Sequence, residues 1–295
     1  ILQTHSPSAR RAMTIEDIIL SRDRRGISKL RHHIADDFCD RAAQLVLDHK
    51  GTAVIVTGFY ILTADAPETD GPPGAVAIGN ALTSLGYNVV YVSDLHHLPM
   101  LQGLIGSNAK LINFPITTDD SSRLFAEDLI RELNPSILIS IERCGINQQG
   151  SYRNMHMKDI SLFTGRTDHL FTNHSASIGI GDGGNEIGMG NLKSVIPDVP
   201  TLTEPCITTT TELVLCSVSN WGGYGLVASL SKKTGRVLLP SVAEERDLVK
   251  QTTDLGAVDG MSTKQEYKVD GFTLEENSAV VAELHEILTA EGISS

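Results

Sequence analysis

Positive charge is scarce in this sequence. Lys and Arg number 24 against 36 Asp and Glu, a formal net charge of -12 over 295 residues. That balance argues against nucleic acid or an anionic membrane as the main partner, because polyphosphate and headgroup surfaces reward clustered cations. Cysteine is scarce too. Cys39, Cys144, Cys206 and Cys216 are widely spaced without a C-x-x-C pair, which excludes a zinc knuckle and a dense disulfide framework and suits a reducing compartment. No apolar run approaches the roughly 18 to 20 residues that span a bilayer, and the first residues lack the apolar core of a signal peptide. The G-x-S-x-G elbow, the Walker A loop and H-E-x-x-H are all missing, so the commonest hydrolase, NTPase and zincin templates fail. There is no internal repeat and no low-complexity tract.

What is present reads as alternating α and β structure. The opening "ILQTHSPSARRAM" begins with Ile1 and looks like a linker over 1–13, as expected for a piece of a longer protein. Residues 14–295 are expected to form a single α/β domain. Its lead is helical: "TIEDIILSRDRRGISKL" and "IADDFCDRAAQLVLDHKG" read as helices, the second with Ile34, Phe38, Ala42 and Leu45 on one face. Then "TAVIVTGFY" is too continuously apolar for a half-exposed strand and reads as a buried parallel one. A helix ended by Gly86, a strand over 89–92, the strand in "AKLINFPI", a helix over 121–133 and the strand "SILISIER" continue the alternation. Further on, "HLFTNHSASIGIGDGG" suggests a helix and a strand. "TELVLCSVSNWGGYGLVASLSKKTG" suggests a strand, a glycine turn and a helix, and "RVLLPSVAEERDLVKQTTDLG" a strand and a helix. A last helix is expected over 274–288. The fold class that follows is α/β: a doubly wound, mostly parallel sheet flanked by helices, with an N-terminal helical lead.

Ligands of open parallel sheets sit beyond the carboxyl ends of the strands, so the loops there hold the candidate chemistry. In "TGFYILTADAPETDGPPGA", Asp65, Glu68 and Asp70 precede a helix start whose free N–H groups at Gly74 and Ala75 suit a carboxylate or phosphate. "SIERCGINQQGSYRNMHMKDIS" gathers Glu142, Arg143, Tyr152, Arg153, His156 and Lys158 in one long polar loop. An arginine there can clamp a carboxylate bidentately, and His156 can move a proton near neutral pH. In "GIGDGGNEIGMGN", Gly179, Gly181 and Gly184 satisfy G-x-G-x-x-G, but the match lies late in the chain. Asp182 and Glu186 would also oppose a pyrophosphate. The loop fits a cationic partner instead, an ammonium group or a metal. In "SNWGGYG", Gly222 and Gly223 offer either an anion nest or core packing.

Taken together, "TGFYI…ETDGPPGA", "SIERCG…YRNMHMKDIS", "GIGDGGNEIGMGN" and "SNWGGYGL" resemble the C-terminal domain of the mitochondrial D-glutamate cyclase family, from about Thr14 to the C-terminus. The resemblance implies conversion of D-glutamate to 5-oxo-D-proline and water in the mitochondrial matrix, and an N-terminal domain of the same protein as partner. It carries over no assigned catalytic set.

The substrate has two carboxylates and one ammonium, and the residues are matched to these by their chemistry. Asp182, Glu186 and His156 are the expected acid and base groups. Arg143, Arg153, Asp70, Gly74 and Asn185 are expected to bind substrate. A second scheme places Mg²⁺ or Ca²⁺ on Asp182 and Glu186 with Asp70 or Asp94. A third makes the chain a non-catalytic small-molecule or metal-binding regulatory domain fused to a catalytic partner.

Overall fold

The computed structural model describes residues 13–106 and 109–294. Apart from Met13, the expected linker lies outside them. In chain order the elements are α1 (Ile15–Ile19), a 3₁₀ turn (Ile27–His33), α2 (Phe38–Asp48), β1 (Thr52–Thr57), a small hairpin of β2 (Tyr60–Ile61) and β3 (Ala66–Pro67), α3 (Pro72–Ser84), β4 (Asn88–Ser93), α4 (Leu98–Ile105) and β5 (Lys110–Asn113). There follow α5 (Asp119–Leu133), β6 (Ile137–Ile141), α6 (Asp168–Phe171), β7 (Ser177–Gly181), β8 (Glu212–Leu215), α7 (Ser219–Thr234), α8 (Val242–Asp254), a second hairpin of β9 (Lys268–Val269) and β10 (Phe272–Thr273), and α9 (Leu274–Ala290).

Six strands form one parallel sheet in the order β5-β4-β1-β6-β7-β8. The chain thus works outward from β1 in one direction, returns beside β1, and works outward in the other. The order reverses between β1 and β6, where Thr57 pairs with Ile141 at the carboxyl ends. A crevice opens there because the connections leave the two strands on opposite faces.

The continuous apolar runs are explained by burial on both faces. Ala53 and Ile55 of β1 and Ile137, Ile139 and Ile141 of β6 point into the larger core, packed by α1, α2, α3, α7 and α9. Val54, Val56 and Leu138 point the other way, toward Ala126 and Leu129 of α5 and Leu170 and Phe171 of α6. All four cysteines are free and buried, and no helix among the described residues is long and apolar enough to cross a membrane.

Three local expectations need correction. The first helix breaks after α1, where Arg22 (φ 57°) and Gly26 (φ 85°) turn the backbone left-handed before the 3₁₀ turn. The glycines of "SNWGGYG" form no turn or anion nest, because they lie inside α7. A Cβ on Gly223 would sit 3.1 Å from the Cα of Gly74, and one on Gly222 would sit 2.6 Å from Ile180 Cγ2, so their bareness lets α7 close on α3 and β7. Trp221 is core, its indole N–H donating to Asn277 Oδ1 at 2.8 Å. Finally, "RVLLP" makes no strand: Leu238 N–H donates to Ser231 Oγ and Leu239 is buried, so this segment folds back along α7 instead of joining the sheet.

Glu245 of α8 faces Ser278 of α9, whose hydroxyl lies 3.0 Å from Glu245 Oε2. Burial pushes this carboxyl up to about 7 from an ordinary 4.5, and Ser278 and Arg246 only partly oppose it. A raised acid stabilises the fold while protonated, so its contribution is complete below about pH 4.5 and is lost as pH rises through about 7. Glu245→Gln should therefore gain on the wild type by about 2 kcal/mol between pH 5 and pH 8. Denaturant unfolding at the two pH values measures the gain, and an equal difference at both would refute it.

Candidate active site

Five segments converge on the crevice between β1 and β6. The loop after β1 brings Glu68 and Asp70, and the residue directly after β6 is Glu142. Asp182 follows β7, Asp270 sits at the tip of the β9–β10 hairpin, and Arg25 precedes the 3₁₀ turn. Each is placed by local chemistry. Asp270-Gly271 is a tight hairpin turn with both residues at positive φ (52° and 75°), held by Asp259, whose Oδ1 accepts from Gly271 N–H at 2.7 Å. Thr69 ties the hairpin to the first loop by donating to Lys268 O at 2.7 Å. Arg25 is set by an Asp23 turn in which one carboxylate oxygen accepts from Arg25 N–H (2.9 Å) and Gly26 N–H (2.7 Å). Glu142 has φ 42° although it has a full side chain, a strain of about 1–3 kcal/mol of the kind functional sites retain. Its Cβ packs where Gly71 has none: a Cβ on Gly71 would lie 2.6 Å away.

The outcome is a buried acidic cluster. Asp70, Asp182 and Glu142 are 1%, 0% and 6% exposed, and Glu68 and Asp270 are 7% and 5% exposed. Among these groups the single cation is Arg25, whose Nη2 donates to Asp182 Oδ2 at 2.7 Å and to Asp270 Oδ2. Burial works against its charge, but Asp182 and Asp270 keep the guanidinium firmly protonated. Asp70 accepts from Ser219 N–H (2.8 Å) and Asn220 N–H (2.7 Å) at the start of α7, and from Gly71 N–H (2.9 Å). Glu142 accepts from the Ser219 hydroxyl at 2.6 Å. Glu68 Oε1 rests over Gly260, 1.7 Å from where a Cβ there would be. Burial, reinforced by mutual repulsion, pushes the carboxyls of Glu68, Glu142 and Asp182 well above their usual range, and that of Asp70 up to about 8. Such a group holds protons or draws a cation.

A cleft leads down to this cluster, lined among others by Arg25, Phe59, Glu68, Glu142, Asn154, His156, Asn185 and Asp270. Of the residues singled out in the sequence, Glu68, Asp70, Glu142, Asp182 and Asn185 are gathered at the cleft or beneath it. His156 is exposed at the cleft wall. Asn185 donates to Arg153 O at 2.8 Å, pinning the long polar loop beside the glycine loop.

Others are given different tasks. Glu186 turns back into its own loop: Oε1 accepts from Gly183 N–H (2.6 Å) and Asp182 N–H (3.2 Å), and Oε2 from Gly184 N–H (2.7 Å). The loop does cradle an anion, and that anion is its own glutamate. Its carboxylate oxygens are thereby occupied, away from metal or substrate. Gly181 and Gly183 are bare because a Cβ on either would meet Glu186 at about 2.9 Å.

Arg143 is fully buried. It donates to Asp94 Oδ2 (2.6 Å), Gly58 O (2.9 Å) and Gly165 O (2.8 Å), bracing the ends of β1, β4 and β6. Despite burial, Arg143 and His97 hold the Asp94 carboxyl well below the usual range, and its two oxygens are engaged by His97 on one side and by Arg143 and Gly165 N–H on the other. The Gly74 helix start is closed as well, since Asn220 Oδ1 accepts from both Gly71 N–H (3.0 Å) and Gly74 N–H (2.8 Å). Arg153 lies 3.7 Å from Glu204 and donates to Ser151 Oγ and Met157 O, apart from the carboxylates.

Sequence reasoning placed Glu68 and Glu142 in candidate loops without giving either a role, and it left Arg25 and Asp270 out of the site. Of the two left out, only Asp270 carried a local signal, its Asp-Gly turn, which announced a hairpin without saying what the aspartate faces.

The nest around Glu186 makes a definite prediction. In Glu186→Gln an amide NH₂ must meet at least one of the three N–H donors, so stability should fall by roughly 1–3 kcal/mol. Chemical denaturation checks this, and an unchanged midpoint would show that the nest does not hold the loop.

A family model described as D-glutamate cyclase-like, C-terminal, matches residues 15–285. The human protein named "D-glutamate cyclase, mitochondrial" is 32% identical over 212 residues, an alignment covering 64% of this chain and 34% of that protein. The chain therefore aligns with about a third of that relative's length. With nearly all of the described sheet and its flanking helices inside the match, the chain belongs to the D-glutamate cyclase-like, C-terminal family.

Proposed function

We propose that this chain is a hydro-lyase that converts D-glutamate to 5-oxo-D-proline and water in the cleft between β1 and β6. One observation carries the reading: the cleft is acidic at depth and bordered by neutral donors and one guanidinium, which matches a substrate with one ammonium and two carboxylates. The family membership and the name of the human relative support it. By the same extension we assign the chain to the mitochondrial matrix, with the remainder of a longer protein of the relative's kind as its partner.

The reaction joins the α-nitrogen to the carbon of the γ-carboxylate and expels one oxygen of that carboxylate. Two protons leave the ammonium, and both depart on that oxygen as water. In our assignment Glu68 and Asp270 receive the ammonium at the cleft wall, and Glu68 accepts the first proton. Arg25, Asn154 and Asn185 orient the carboxylates, and His156 at the mouth relays protons to the departing oxygen. Folding the substrate so that nitrogen meets the carbon of the γ-carboxylate supplies much of the acceleration.

The purified chain should form 5-oxoproline from D-glutamate, followed by NMR. Glu68→Gln should lower the rate by about 10²–10⁴-fold while its circular dichroism and melting temperature stay near wild type. Wild-type turnover in that variant removes Glu68 as base. Binding of D-glutamate with no product from the unmodified chain would instead make this a sensing domain and move the chemistry to another part of the longer protein.

A further inference from the structure

We propose that Asp70, Glu142 and Asp182 form a site for one hard divalent cation of the Mg²⁺, Mn²⁺ or Ca²⁺ class, beneath the floor of the cleft. One carboxylate oxygen from each lies within 4.8 Å of the others. Metal–oxygen bonds of about 2.0–2.6 Å let a single ion reach all three with small side-chain adjustments.

Proximity of acids alone would not make a site. The second observation is Asp182 itself, fully buried and pinned by Arg25 through Oδ2, whose Oδ1 meets no hydrogen-bond partner among the described residues. An orphaned carboxylate oxygen in the interior is costly unless something positive satisfies it. A second buried oxygen without a partner, Thr57 Oγ1, stands at the end of β1. It lies 2.9 Å from the point where a Gly71 Cβ would be, and Glu142 Cβ lies 2.6 Å from that same point.

The charge count agrees. Arg25 is shared between Asp182 and Asp270, so its one positive charge leaves Asp70, Glu142 and Asp182 with a negative surplus that a divalent ion would offset. The donors are all hard oxygens, with no imidazole or thiolate among the three, and this selects the Mg²⁺, Mn²⁺ and Ca²⁺ class over Zn²⁺. Depth separates this position from an ammonium subsite. Asp70 and Asp182 are 1% and 0% exposed and take no part in lining the cleft, whereas Glu142 belongs to both cluster and cleft. A cation beneath Glu142 would sit next to the substrate and offset the repulsion between its carboxylates and the acidic wall. This part of the inference rests on the cyclase reading; the site itself does not.

The test uses the full chain stripped with EDTA and titrated with Mn²⁺, followed by electron paramagnetic resonance and calorimetry. One saturable Mn²⁺ per chain is expected, displaced by Mg²⁺ or Ca²⁺. Asp182→Asn and Glu142→Gln should each weaken it by roughly 10–100-fold or more, with circular dichroism confirming that the variants fold. No saturable binding of any of the three ions to the wild-type chain overturns the site, and so does wild-type Mn²⁺ affinity in both folded variants. Metal binding without turnover of D-glutamate leaves the site standing and defeats the cyclase reading. Full turnover by metal-free protein does the reverse for the metal's role in the reaction.

Discussion

Five carboxyl groups closed away from water in one corner of the molecule set a constraint that much of the surrounding structure answers. Each ionised carboxylate loses hydration worth several kcal/mol on burial, and neighbours of the same sign add to that cost. The fold meets this cost with donors from distant parts of the chain: the first N–H groups of α7 for Asp70, the Ser219 hydroxyl for Glu142, and Arg25 for Asp182 and Asp270. None of these contacts is local in sequence, so the corner assembles only when the sheet, α7, the β9–β10 hairpin and the N-terminal segment are all in place. The close approach of α7 to α3 at Gly74 and Gly223 then becomes a requirement of the site as well as of the core.

The glycine-rich loop after β7 is part of the same arrangement. Its resemblance to a phosphate-binding turn is physically real, since successive N–H groups do converge on an anion. Because that anion is Glu186, the loop's N–H donors are already filled, and Asp182 at its start is aimed at Arg25. The pattern of glycine and acid that argued against a pyrophosphate thus has a direct cause: the acid occupies the place of the phosphate.

Most of the sheet was legible in the sequence because its central strands are apolar on both faces, although the strand expected in "RVLLP" is absent. The position of the cleft was legible too, since strand alternation locates the carboxyl ends. The roles of side chains within it were not. Arg143 and Arg153 look equally suited to a substrate in sequence, yet one is sealed into a strut with Asp94 and the other turns toward Glu204. Arg25 sits in a stretch of ordinary helical composition, and only the left-handed turns at Arg22 and Gly26 send it into the site. Pairings separated by 150 residues or more, such as Asp70 with Asn220, leave no local pattern to read.

The strand order is the one in which other proteins hold a dinucleotide, and there the pyrophosphate meets the positive N-terminal ends of helices at the switch point. Here both such ends are already taken. The first N–H groups of α7 hold the Asp70 carboxylate, while Gly71 and Gly74 at the start of α3 donate to the side chain of Asn220, which itself belongs to α7. The two helix starts are therefore closed by a reciprocal exchange, Asp70 from before α3 capping α7 and Asn220 from within α7 capping α3. The exchange places a carboxylate where the topology alone would invite a phosphate, and with Glu142 and Asp182 beside it the local field changes sign. A crevice whose backbone geometry favours anions is thereby turned toward cations, and this follows from the residues at two helix starts without any change in the order of the strands.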